Sequence, residues 1–120
     1  NGNKTMTNKI NLKDRNTIEL LKRAVMTKQS DIKEQRRAKE DLSDLDFYRY
    51  EQVIAEYALL EAQLRLEWRL AFNKEFTDKD DPIEVKKDKL EADICRLNVD
   101  KAQQNLDIAD SNYRLELSQK

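Results

Sequence analysis

Apolar residues recur along most of this chain in steps of three, four and seven, the spacing of helices with one buried face. Ile18, Leu21, Val25 and Ile32 begin the pattern and predict a first helix over about residues 12–41, with Asn11 or Asn16/Thr17 as its cap. Lys28, Gln35 and Lys39 occupy the intervening core-like positions. So thin a stripe predicts a helix that projects or packs along one edge only.

From Phe47 to Phe76 the apolar density rises. Tyr50, Val53, Ile54, Tyr57, Leu60, Leu64, Trp68, Ala71 and Phe72 follow helical steps, and Leu59, Leu66 and Leu70 widen the stripe. This predicts a second helix over about 44–74 that faces more than one neighbour. Before it, Ser43 with Asp46 three residues later resembles a capping box in which Asp replaces Glu. A break or kink is expected there, although Leu42 and Leu45 keep helical spacing and no Gly or Pro forces a turn.

The clearest boundary is Thr77-Asp78-Lys79-Asp80-Asp81-Pro82-Ile83-Glu84. Asp81 suits the N-cap, Pro82 the first helical position and Glu84 the positive end of the helix dipole. A third helix is expected over 82–117, its stripe running through Leu90, Ile94, Leu97, Ala102, Leu106, Ala109, Tyr113 and Leu117. A short connection makes sequential helices antiparallel neighbours. The expected fold is all-α: a long antiparallel helical hairpin with a third, N-terminal helix, as a three-helix bundle or an extended coiled coil. Residues 1–10 read as a flexible polar segment and 11–120 as one helical domain.

Composition agrees and excludes a good deal. The 120 residues include one Gly, one Pro, one Cys and no His, and 39% are charged. One Gly and one Pro cannot punctuate many hairpins, so a sheet-rich domain is excluded. Without His there is no Ser-His-Asp or Cys-His nucleophile and no histidine zinc ligand. Gly2 is the sole glycine, which rules out a glycine-rich phosphate loop. No apolar run approaches the roughly 18 residues that span a bilayer, and Asn1-Gly2-Asn3-Lys4 has no signal-peptide apolar region.

Charge is unevenly placed. Residues 1–42 hold 11 Lys and Arg against 6 Asp and Glu, while the remainder is acidic and the chain nets -1. Lys33, Arg36, Arg37 and Lys39 are the candidate anion-binding residues, for nucleic acid or an anionic membrane surface. Asp31, Glu34, Glu40 and Asp41 interleave with them, as on an ordinary solvated helix face. No aromatics lie among them to stack on bases. Membrane-surface contact and nucleic acid therefore rank behind a protein partner or self-association.

The remaining constellations read as structure. Asp78, Asp80 and Asp81 begin like a calcium loop, but Pro82 and Ile83 stand where a ligand and a Gly are needed. The pairs Asp88/Glu91 and Asp107/Asp110 lack the Glu-x-x-His partners of a bundle di-metal site. Cys95, between Ile94 and Leu97 and next to Arg96, suits a small core filler, with a reactive thiolate beside Arg96 or a bridge between two chains as the alternatives. No catalytic, cofactor-binding or metal-binding set is legible. The aromatic run suits a helix core, and Tyr50, Tyr57, Leu64, Trp68 and Phe72 are also the candidate partner-binding residues.

In the third helix, Leu90-Glu91-Ala92-Asp93-Ile94 is followed by Ala102-x-x-Asn105-Leu106-x-x-Ala109-x-x-x-Tyr113-Arg114-Leu115. Residues 90–115 thereby resemble the periplasmic coiled-coil hairpins of outer-membrane efflux channels and their adaptor proteins. The pattern lacks the channels' β-strands, the adaptors' lipoyl-like domain and a glycine-bearing hairpin tip. What the resemblance implies is a projecting helical hairpin that docks on other proteins, in a bacterial envelope or secretion assembly and in the periplasm before the cytoplasm. The expected role is a non-enzymatic interaction or scaffold module.

Overall fold

A computed structural model describes residues 14–119; the expected flexible segment over 1–10 and the candidate cap Asn11 lie outside them. Three helices follow one another: α1, Arg15–Ala38; α2, Asp44–Phe76; and α3, Pro82–Ser118. There is no strand among the described residues, and the fold is all-α with long helices packed on each other.

Local chemistry sets each start. α1 is capped by Asp14, whose carboxylate accepts from the Asn16 N–H at 3.0 Å and the Thr17 hydroxyl at 3.1 Å. Asn16 and Thr17 are thus donors in the first turn rather than the cap, because the aspartate on the extended residue ahead of them supplies the acceptor. α1 stops at Ala38, earlier than the spacing suggested, with Lys39 extended.

α2 begins where the Ser43 hydroxyl accepts from the Asp46 N–H at 3.1 Å, with Asp44 and Asp46 in the first turn. The chain therefore breaks between Ala38 and Asp44 without Gly or Pro. A hydroxyl cap and two carboxylates at the positive end of the dipole start a new helix. α3 starts on Asp81, which accepts from the N–H groups of Ile83 and Glu84 at 3.0 and 3.4 Å, with Pro82 in the first turn. The Glu84 carboxylate in turn accepts from the Asp78 N–H at 2.6 Å and closes the connection.

The pairings give the topology. Arg15 at the start of α1 meets Glu75 at the end of α2 at 3.3 Å, while Arg36 at the other end of α1 pairs with Glu51. Gln52 donates to Asp110 at 2.6 Å, and Asn73 donates to the Asp88 carbonyl at 3.0 Å. Both sequential pairs are therefore antiparallel. α1 and α3 each pack on α2 and not on one another. The bundle is open, with α2 between its neighbours, as its wide apolar stripe requires.

One core cluster joins α1 to α2: Ile18, Val25 and Leu64 are buried, with Leu21, Tyr57, Trp68 and Ala71 packed around them. The thin stripe of α1 is its single packing edge. α3 meets α2 through the small residues Ala92 and Ala109, both buried, which let the backbones approach. At 1.5 Å per residue α3 is about 55 Å long. The radius of gyration, 18.3 Å, exceeds the roughly 13–14 Å of a compact chain of this size.

Candidate functional site

α3 carries two apolar faces. Ala92, Cys95, Val99, Ala102, Leu106, Ala109 and Tyr113 are buried or half-buried and advance by three and four residues along the α2 side. On the other side stand Ile83, Leu90, Ile94, Leu97, Ile108 and Leu115, between 57% and 79% exposed. They too advance by three, four or seven residues, except where Lys101 and Gln104 fill the stripe between Leu97 and Ile108.

This corrects the single stripe read from the sequence. The step from Leu97 to Ala102 is five residues, which at about 100° per residue turns the helix by about 140°. The residues up to Leu97 therefore belong to the outer face, and those from Ala102 to Tyr113 belong to the face on α2. Leu117, the last of the expected stripe, is half exposed at 48%. The five-residue step was present in the sequence and marks the change of face.

The exposed apolar residues fall in two stretches, Ile83 to Leu97 and Ile108 to Leu115, on either side of Lys101 and Gln104. Apolar side chains grouped on one open face are a recognised mark of an interaction surface. Its edges are polar. Asn98, Asn105 and Asn112 line the flank toward α2, and Asp93, Asp100 and Asp107 lie on the other flank, all seven residues apart. Near its C-terminal half the face runs into a groove of about 390 Å³ between α2 and α3, with Phe47, Tyr48, Ala58 and Ile108 in its walls.

The residues singled out on α2 pack within the chain. Leu64 is buried, and Tyr57 and Trp68 pack on the α1–α2 core. Phe72 stacks between Trp68, centroids 5.1 Å apart, and Phe76, 4.8 Å apart. The Arg15 guanidinium lies over both phenylalanine rings, at 5.8 and 4.8 Å. Tyr50, half-buried, receives the Lys39 ammonium 5.4 Å from its ring centre. The structure places these five side chains along the α1–α2 seam.

The basic cluster is spread in the same way. Arg36 pairs with Glu51 and lies over the Phe47 ring at 5.9 Å. Arg37 pairs with Glu34 at 2.9 Å, Lys39 covers Tyr50, and Lys33 is exposed. Three of the four charges thus make contacts within the chain, two of them across the α1–α2 seam.

Cys95 is half-buried between α3 and Ala58 and Ala62 of α2. Among the described residues, no group of three or more His, Cys, Asp or Glu side chains is placed to hold a metal ion. No described helix is long and apolar enough to cross a membrane.

Comparison with protein-family models, curated proteins and solved structures gave no match.

Proposed function

We propose that this chain is a non-enzymatic interaction or scaffold module that binds another protein helix along the outer face of α3 by coiled-coil packing. One observation carries this reading: the heptad-spaced row Ile83, Leu90, Ile94, Leu97, Ile108 and Leu115 faces water, while α2 occupies the opposite side of the same helix. Burying such side chains stabilises a complex by about 1.5–3 kcal/mol each before the costs of association. The open arrangement also favours it, because α1 does not reach α3 and leaves that face clear.

The likeness of residues 90–115 to envelope hairpins suggests the setting, an assembly in which helical hairpins dock on one another. The test is position-specific photocrosslinking in cells, with a reactive residue replacing Leu90 or Leu97, and replacing Lys33 on α1 as the control. The expected result is a protein adduct, to this chain or to another, from the α3 positions. The purified partner should then bind the chain and lose at least tenfold in affinity to Leu97→Lys. Adducts from Lys33 alone, or a partner indifferent to Leu97→Lys, would refute the reading.

A further inference from the structure

We infer that the helix docking on α3 is the α3 of a second copy, lying parallel and in register. This deepens the interaction reading above and rests on it. The heptad places Ile94, Ile108 and Leu115 at one core position, with Lys87 and Lys101 in the same row. Ile83, Leu90 and Leu97 occupy the other core position, followed by Gln104 and Ser111. Isoleucine in the first row with leucine in the second is the combination that favours two parallel strands. A lysine in the first row sets register at some expense in affinity, its stem packing on the core and its ammonium reaching water.

The flanks decide orientation. In a parallel pair, each residue just before the first core row meets the partner's residue five places later. Lys86 then meets Glu91, while Asp93 meets Asn98, Asp100 meets Asn105 and Asp107 meets Asn112. The first is an ion pair. The other three each set a carboxylate acceptor against an amide donor, three heptads in succession. No like charges are opposed in that series; in the core row Lys87 and Lys101 each meet their own copy, with stems packed inward and ammonium groups turned out to water.

An antiparallel pair overlapping along its full length would instead set Asp93 against Asp107, Asp100 against Asp100 and Lys86 against Arg114 of the two copies. Like charges so placed are destabilising. Within the chain, Glu91 lies 3.7 Å from Arg69, and the Asp93 carboxylate accepts from the Arg96 guanidinium at 2.8 Å. Each carboxylate has two oxygens and further lone pairs to share. The contact is isologous, the same face meeting itself about a two-fold axis along α3, so it closes as a dimer.

Two measurements on the purified chain test this. Sedimentation equilibrium should give a mass rising with concentration to twice that of the chain. Leu97→Lys should return it to the monomer with unchanged far-ultraviolet circular dichroism, since Leu97 is exposed. Orientation is read by placing one cysteine at a time in a Cys95→Ser background, at Lys87→Cys and at Gln104→Cys. Mild oxidation should cross-link both variants into dimers, because only a parallel pair brings every core position against its own copy.

A monomer at the highest soluble concentration would overturn self-association, and a cross-link at one position or neither would overturn the parallel register. A monomer whose Leu90 or Leu97 photocrosslinks to a different protein would overturn this inference and leave the interaction reading standing.

Discussion

Ala92 and Ile94 are two residues apart on α3 and face opposite ways: Ala92 is 3% exposed against α2, and Ile94 is 57% exposed to water. One helix thus holds a hairpin together on one side and offers an apolar surface on the other. The two residues should respond oppositely to substitution. Ala92→Leu inserts bulk into a close helix contact and should cost about 1–3 kcal/mol by overpacking. Ile94→Lys should change the stability of dilute protein by no more than about 0.5 kcal/mol, as exposed substitutions do. Urea denaturation of the two variants checks the contrast.

The α1–α2 junction depends on very few buried side chains. Ile18 is the only large side chain wholly removed from solvent among the described residues. Ile18→Ala should cost about 2–5 kcal/mol. Trp68 packs beside that cluster, so its fluorescence should report the loss as a lowered thermal midpoint.

The break ahead of α2 has no Gly or Pro and relies on its cap. Ser43→Ala removes the acceptor of the Asp46 N–H and should cost about 1 kcal/mol, within a range of about 0.5–2. Ser43→Asp should recover most of it, measured by chemical denaturation of the three proteins.

Acid should loosen α1 locally. The hydrogen bond from Lys22, at 3.0 Å, with a second from Arg23 at 3.1 Å, holds the Glu19 carboxyl below its ordinary value. A depressed pKa means that the charged form is favoured in the folded state. The contribution is therefore present above the ordinary carboxylate range and is lost as pH falls through the folded value. The stability advantage of wild type over Glu19→Gln should shrink on acidification below about pH 4, as read from thermal midpoints at paired pH values.

Binding of a nucleic-acid duplex through α1 is expected to be negligible, because Arg36, Arg37 and Lys39 already make contacts within the chain. A titration with a fluorescent duplex at 50 and 200 mM salt checks it. Phosphate contacts would appear as affinity falling steeply with salt.

Much of this architecture was legible in the sequence, for physical reasons that can be named. Asp81-Pro82 marks a helix start because proline fits only where its missing N–H is not needed, and the aspartate caps the donors that follow. Ser43 and Asp46 did the same less loudly. The Asp14 cap was missed because Asn11, Asn16 and Thr17 offer similar chemistry nearby, and only the backbone geometry chooses among them. The outer face of α3 was missed for another reason. Leu97 and Ala102 were read as one stripe, although five residues carry the chain around the helix to its other side. Apolar content is visible residue by residue, but the face it occupies depends on a phase that one irregular step can change.

The most direct test of the central claim, that the outer face of α3 pairs with its own copy, is hydroxyl-radical footprinting of the purified chain at increasing concentration. The account predicts that Leu90, Ile94, Leu97 and Ile108 lose reactivity together as concentration rises, while Leu20, exposed on α1, keeps its own. Reactivity at those four α3 positions that stays the same at every concentration, alongside an unchanged Leu20, would contradict it.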